Sequence, residues 1–201
     1  MRLLKSICLV LAVLMLFSAC SQTRTVDRIA TDEVTDLSGR WNDTDSKLVA
    51  EQMIRDLTYR PWIEDYVLEN GKKPVVIVGE IRNRSSEHIQ TEVFVKDIER
   101  ELINSGKVKF VATSQERLEI RDERSEQQLY ASDETAKSLA QETGADFMLK
   151  GVITSTTDSI EGKAAVFYQI DMELINIESN EKVWIGSKEI KKFITQAKMK
   201  W

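Results

Sequence analysis

The sequence predicts an α/β domain of the α+β kind, in which helices cover a mixed or largely antiparallel sheet of four or five strands. In the middle of the chain, apolar residues at helical spacing alternate with β-branched runs. Near the end, three strand-like segments are separated only by short polar turns. A chain of 201 residues is long enough for one such domain after its amino-terminal segment.

The first nineteen residues have the layout of a secretory signal peptide. Arg2 and Lys5 give a positive start, an apolar run extends from Ile7 to Phe17, and small residues follow it. The run is shorter than the roughly 18 residues that a helix needs to cross a bilayer. We therefore expect residues 1–19 to be removed rather than to remain as a membrane span.

Cys20 follows directly, and the stretch Phe17-Ser18-Ala19-Cys20 resembles the lipobox of bacterial lipoproteins, with Phe17 where that motif usually has Leu. The resemblance implies that Cys20 becomes the first residue and carries the lipid anchor. Several acyl chains hold a protein on a bilayer, whereas one chain binds only marginally. Ser21 implies sorting to the periplasmic face of the outer membrane. The alternative is an ordinary signal peptide with an incidental cysteine.

The next segment, within residues 20–45, is polar and has no sustained periodicity, which predicts a flexible tether. As a coil, its root-mean-square reach would be about 25 to 30 Å. A single globular domain is then expected over residues 46–201. The chain has no cysteine after Cys20, so burial must stabilise this domain without disulfides.

The first half of the domain is predicted to be mainly helical. Asp45 or Ser46 can cap a helix that Pro61 interrupts, and the apolar run 75–81 suits a buried strand. A helix over 90–105 ends before Gly106, and a strand over 107–112 follows. Thr113 and Glu116 have the spacing of a capping box for the next helix, and a further helix is expected from about 133 to 144.

The remainder is predicted to be three strands, 145–156, 164–177 and 181–190. The turns between them, at 161–163 and at 179–180, are short enough for antiparallel hairpins. The strand at 75–81 is separated from its neighbours in the chain by helices, which allows parallel crossovers. This combination accounts for the mixed sheet.

The composition disfavours several functions. Without Arg2 and Lys5 the chain has a formal charge of −7, which makes it a poor partner for nucleic acid. His88 is the only histidine, so clusters of histidine and cysteine that bind metal, and nucleophiles paired with a dedicated histidine, are not expected. No glycine-rich phosphate loop is present. We therefore expect no catalytic residue, no cofactor and no metal.

Two segments could instead form a binding face. Arg82, Asn83 and Arg84 follow a buried strand, where loops often carry function, although the favoured interpretation is a turn before a helix in which Asn83 and Ser85 bond local backbone. Tyr59 and Trp62 lie in the aromatic segment 59–66, which could be an interface or simply a helix corner that closes the core. The charged run 121–128 is more typical of a solvated helix face.

The order of segments resembles the family of penicillin-binding protein activators known as LpoB, whose domain is of the TolB amino-terminal type. The resemblance covers about residues 74–192 and is carried by the stretches VVIVGEIRNRS, LINSGKVKFV, AKSLAQETGADFMLKG and IDMELINIESNEKVWIGSKEI.

The resemblance implies an outer-membrane lipoprotein that binds a class A penicillin-binding protein and stimulates its glycan polymerisation, without chemistry of its own. The tether is shorter than that of the best-known member and has no proline, which limits its reach. Two alternatives remain open. One is a structural or export-linked lipoprotein similar to the CsgG group, and the other is a small-ligand or glycan-binding module that uses Trp62 or Trp184 as a stacking platform.

Overall fold

The computed structural model of the chain describes residues 25–31, 33–130 and 144–195. Two compact units are present, Met1–Glu33 and Val34–Trp201. The described residues of the first unit form no helix or strand, and Glu33 N donates a hydrogen bond of 3.2 Å to Ala30 O. No helix within the described ranges is long and apolar enough to span a membrane.

The second unit contains every described helix and strand. In chain order they are α1 (Asp43–Tyr59), α2 (Trp62–Asn70), β1 (Val75–Asn83), α3 (Thr91–Ser105), β2 (Lys109–Phe110), α4 (Ser114–Tyr130), β3 (Phe147–Ile160), β4 (Lys163–Asn176) and β5 (Lys182–Thr195). The helix predicted between 133 and 144 falls almost wholly on residues outside the described ranges.

The five strands form one mixed sheet in the order β2-β1-β3-β4-β5. β1 is parallel to β2 and to β3, whereas β3, β4 and β5 are antiparallel neighbours. The predicted fold class is therefore confirmed, including the crossovers from β1 and the two hairpins. The parallel pairs need a crossover because a tight turn can only reverse the chain.

The core lies between one face of the sheet and the helices α1 and α3, which pack against each other and against β5 and β1 respectively. Alternate residues of β4, from Val166 to Leu174, are buried on this face. Phe94, Ile98 and Leu102 of α3 have no exposed surface, as their helical spacing predicts. The alternation of apolar residues in β4 and their helical spacing in α3 therefore place both sets of side chains in one apolar layer.

Helix α1 begins earlier than the sequence predicted. Its N-cap is Asn42, whose side chain accepts a hydrogen bond of 3.1 Å from Asp45 N, while Asp45 Oδ2 accepts one of 3.0 Å from Asn42 N. Asp45 is thus the third residue of a capping box rather than the cap itself. The box satisfies two amide groups that would otherwise lack partners.

The chain immediately before this helix is attached to the domain. We call residues 34–41 the strap. Trp41 lies edge-on to Phe94 and Tyr168, with ring centroids 6.1 Å and 5.6 Å apart, and it packs against the core. Ordered packing is therefore already present at Trp41; the tether and its boundary with the domain stay predictions.

Other boundaries differ by a few residues. β1 continues to Asn83, so Arg82 and Asn83 belong to a strand rather than to the loop that was predicted. β5 continues to Thr195, and β2 is reduced to two residues. The capping box of α4 is as predicted, with Thr113 N donating to Glu116 Oε2 over 2.9 Å.

Candidate functional site

The turn after β1 is held together by Asn83. Its Nδ2 donates to Glu87 O over 2.8 Å, and its Oδ1 accepts from Ser85 N and Ser85 Oγ over 2.9 Å and 2.6 Å. Arg84 N donates to Ile153 O over 2.7 Å, which attaches the turn to β3. Asn83 is thus occupied in shaping the turn, as the structural interpretation of the sequence anticipated.

The two arginines beside Asn83 are exposed. Arg82 is opposite Val152 in the sheet and lines a small pocket of about 250 Å³ together with Lys150, Asp171 and Glu173. Both guanidinium groups are accessible to a partner, and neither makes a hydrogen bond or ion pair within the described residues. Their predicted role in binding stays a prediction.

The aromatic segment divides into a buried and an exposed residue. Trp62 is 7% exposed, donates from Nε1 to Leu57 O over 2.9 Å, and lies edge-on to Phe147 with ring centroids 5.0 Å apart. Tyr59 is 77% exposed, with Lys107 Nζ 4.3 Å above its ring. Trp62 therefore closes the core, whereas Tyr59 is open to solvent.

A large groove lies beside this segment. We call it the corner groove; its volume is about 710 Å³, and it lies between the α1–α2 corner and the turn that joins β4 to β5. Trp184 forms part of its lining and is 5% exposed. Its Nε1 donates a hydrogen bond of 2.9 Å to Asp56 Oδ2. Burial alone would raise the pKa of Asp56, but the hydrogen bonds from Trp184 and Arg60 lower it.

A second groove, of about 630 Å³, lies at the opposite end of β4 and β5, and we call it the strap groove. Arg40, His88 and Lys163 line it, together with the hydroxyl groups of several serines and a threonine. Beside it, Tyr168 donates to Glu87 Oε1 over 2.7 Å. Burial, followed by the hydrogen bond to Glu87, raises the pKa of Tyr168.

These surfaces are suited to binding, and no arrangement of catalytic groups is apparent in them. No cluster of three potential metal ligands exists among the described residues. Trp62 and Trp184 are both buried, which disfavours the alternative in which either ring serves as a stacking platform; that alternative stays a prediction. Cys20 lies outside the described residues.

Sequence reasoning missed the role of Lys192. Its ammonium group donates to Asp45 Oδ2, Asp36 Oδ1 and Arg40 O over 2.6, 2.7 and 3.0 Å. The only signal was the alternation of β5, which places Lys192 on the same face as Ile190 and Ile194. That alternation could have marked Lys192 as an inward-facing lysine that needs partners.

Comparison with known proteins identifies relatives of this domain. A sequence model of the family described as peptidoglycan-synthase activator LpoB matches residues 45–190. No curated protein sequence matches the chain.

Several solved structures are similar to the chain at low sequence identity. The LpoB C-terminal domain from Escherichia coli is 18% identical, with 76% of this chain and 99% of that chain covered and a TM-score of 0.42. Lipoprotein GNA1162 from Neisseria meningitidis is 14% identical, with 60% and 83% covered and a TM-score of 0.41. The NMR structure of E. coli LpoB is 16% identical, with 90% and 87% covered and a TM-score of 0.36.

The family match spans nearly the whole of the second unit, from the first turn of α1 to the middle of β5. Members of this family are lipoproteins of the cell envelope that activate peptidoglycan synthases and are not themselves enzymes. The chain belongs to the LpoB family of peptidoglycan-synthase activators.

Proposed function

We propose that this protein is an outer-membrane lipoprotein, anchored through Cys20, that binds and activates a class A penicillin-binding protein. The observation that carries the proposal is the family match over residues 45–190, which includes both the helical layer and the sheet. The lipobox-like stretch that ends at Cys20 supports the anchor. The outer membrane and the class of synthase are the parts of the proposal that go beyond the family.

Activation by such a protein is a matter of differential binding. The activator must bind the active arrangement of the synthase more tightly than its inactive arrangement, because equal affinity for both would leave the equilibrium unchanged. No group on the activator has to touch the reacting glycan. Preformed grooves lower the ordering cost of binding, and the difference in affinity has to come from contacts that only the active arrangement makes.

The strap limits the reach of the anchor. If the strap stays attached through Lys192, the tether comprises residues 21–33, whose fully extended length is about 45 Å. This length is roughly half of what residues 21–45 would give. We therefore propose that the synthase meets the domain well out from its own membrane.

The proposal is tested with a purified chain from Ser21 to Trp201, which retains every described residue. Added to each class A penicillin-binding protein of the host, it should raise the rate of glycan polymerisation by at least one synthase and should capture that synthase in a pull-down. Unchanged rates with every synthase, together with no capture of any, would refute the proposed function.

A further inference from the structure

We propose that the corner groove is the docking site for a segment of the synthase that carries lysine or arginine side chains. This inference rests on the proposed function and adds to it a site and a chemistry for the partner. Three properties of the groove support it: its uncompensated charge, its packed aromatic floor and its position relative to the strap.

The charges that line the groove are unevenly compensated. Its two cationic side chains are already engaged, Arg60 with Asp56 and Lys182 with Glu173, at 2.6 Å and 2.5 Å. Its three carboxylates make no ion pair or side-chain hydrogen bond with any described residue; they are Asp65, Glu69 and Glu181. The groove therefore presents negative charge that a cationic partner would neutralise.

Two of these carboxylates repel each other on one helix, although Asp65 lies in its first turn, where the helix dipole favours negative charge. Asp65 and Glu69 are four residues apart on α2, so their charges are neighbours on one helix face and repel each other. Glu69 also lies in the last turn, which contains no basic residue and where the helix dipole disfavours negative charge. Docking of a cation between them would relieve both effects.

The floor of the groove is held in one arrangement. Phe147 is packed edge-on by Trp62 and by Tyr66, whose centroids are 5.0 Å and 5.3 Å from its own. Tyr66 is only partly buried, so its ring is the accessible part of this cluster. An ammonium or guanidinium group is attracted to an aromatic face as well as to a carboxylate. The aromatic floor and the carboxylates of the groove therefore both favour a lysine or arginine side chain of the partner.

The groove lies at the end of β5 far from the strap. Lys192, near the end of β5, holds the strap through Asp36, whereas Lys182, the first residue of β5, lines the groove. Ten residues of strand span about 33 Å. The strap groove, in contrast, is lined by strap residues Ser38 and Arg40 themselves. A domain held at its strap end would therefore present the corner groove outward.

The test compares two triple variants that remove the same charge. Asp65→Asn, Glu69→Gln and Glu181→Gln neutralise the groove; Asp158→Asn, Glu119→Gln and Glu189→Gln are the matched control, at exposed positions outside its lining. Affinity of the Ser21–Trp201 chain for a detergent-solubilised class A synthase is measured at low and high salt. The groove variant should bind about tenfold more weakly and with a smaller salt dependence, whereas the control should bind as the unsubstituted chain does.

Loss of binding through unfolding is excluded by thermal denaturation, because all three substitutions lie at exposed positions and should leave the melting temperature nearly unchanged. Equal affinity of the groove variant and the unsubstituted chain would overturn the groove assignment and leave the proposed function intact. Failure of the unsubstituted chain to bind any synthase would overturn both. If sedimentation shows a dimer of the chain alone that the groove variant abolishes, a second copy and not the synthase is the occupant, and the assignment is likewise overturned.

Discussion

The ammonium group of Lys192 lies 2.6 Å from Asp45 Oδ2, and each of the two side chains is 8% exposed. Burial alone would lower the pKa of Lys192, but hydrogen bonds to Asp36 and Asp45 raise it above its ordinary value. The stability gained from this raised pKa is present below about pH 10.5 and is lost as the pH rises further. One lysine thus joins the strap, the first helix and the last strand.

The first prediction follows from that contact. Lys192→Met should lower the free energy of unfolding by about 3 kcal/mol, because it leaves the buried carboxylate of Asp45 without its cation. It should also free the strap, so that trypsin cleaves after Arg40 faster than in the unsubstituted chain. Urea denaturation and mass spectrometry of the digest measure the two effects.

The control is Lys191→Met, since Lys191 is the exposed neighbour of Lys192. It should change the unfolding free energy by less than about 0.5 kcal/mol. Equal stability of the two variants would contradict the view that Lys192 holds the strap.

The second prediction concerns Gly39 in the strap. Its φ is +70°, and a Cβ atom there would collide with the side chain of Ile194. Gly71 has a similar φ of +65° with open space around it. Gly39→Ala should therefore destabilise the domain by about 2 kcal/mol and Gly71→Ala by about 1 kcal/mol, since only the first adds a clash to the backbone strain. Thermal denaturation of both variants checks this order, and the reverse order would show that the strap is not packed on β5.

A third prediction is a pH dependence centred on Glu116. A hydrogen bond from Lys96, followed by those from Thr113, lowers the pKa of Glu116 to about 2 from 4.5. Because the folded-state pKa is lowered, the stability contributed by the charged form is present above about pH 4.5 and is lost as the pH falls towards 2. Glu116 is 45% exposed, so the contribution should be no more than about 1 kcal/mol.

Glu116→Gln should accordingly be less stable than the unsubstituted chain at pH 7, and the difference should shrink between pH 4.5 and pH 2.5. Melting temperatures over this range measure it. Glu119→Gln, at an exposed position of the same helix, is the control and should show a constant difference. A Glu116→Gln difference that does not change with pH would count against the hydrogen bonds from Lys96 and Thr113 to the charged carboxylate as its source.

The fourth prediction separates shape from binding in the turn after β1. Asn83→Ala should lower the free energy of unfolding by about 1 to 2 kcal/mol, because it removes the bonds to Glu87 O and from Ser85. Arg82→Ala with Arg84→Ala should change it by less than about 0.5 kcal/mol, since both side chains are exposed. If the arginines bind the synthase, the double arginine variant should fail to activate it although its stability equals that of the unsubstituted chain. Unchanged activation would remove both arginines from the binding face.

The fifth prediction tests the anchor. Cys20→Ala should abolish acylation and release the protein from the membrane fraction, because no other thiol follows residue 20. Metabolic labelling with a palmitate analogue and fractionation of the cells measure the two effects. Retention in the membrane fraction without label would contradict a lipid anchor at Cys20.

The sequence by itself determined the layers of this domain. Helical spacing in α3, apolar alternation in β4 and the short polar turn at 161–163 depend on residues close together in the chain, so local preference and burial agree. The boxes at Thr113 and Asn42 are local for the same reason, although only the first was recognised. The family resemblance was also readable, because it depends on the order of these segments.

Only the tertiary structure decided what happens to Lys192, Asp36 and Asp45. Their contacts join residues 147 and 156 positions apart, and no local pattern specifies which carboxylates will meet an inward-facing lysine. The same holds for the corner groove, whose walls come from α2 and from the turn before β5. Hydrophobic periodicity predicts which face of an element a residue occupies. The pairing of charges on that face depends on how elements distant in the chain pack together.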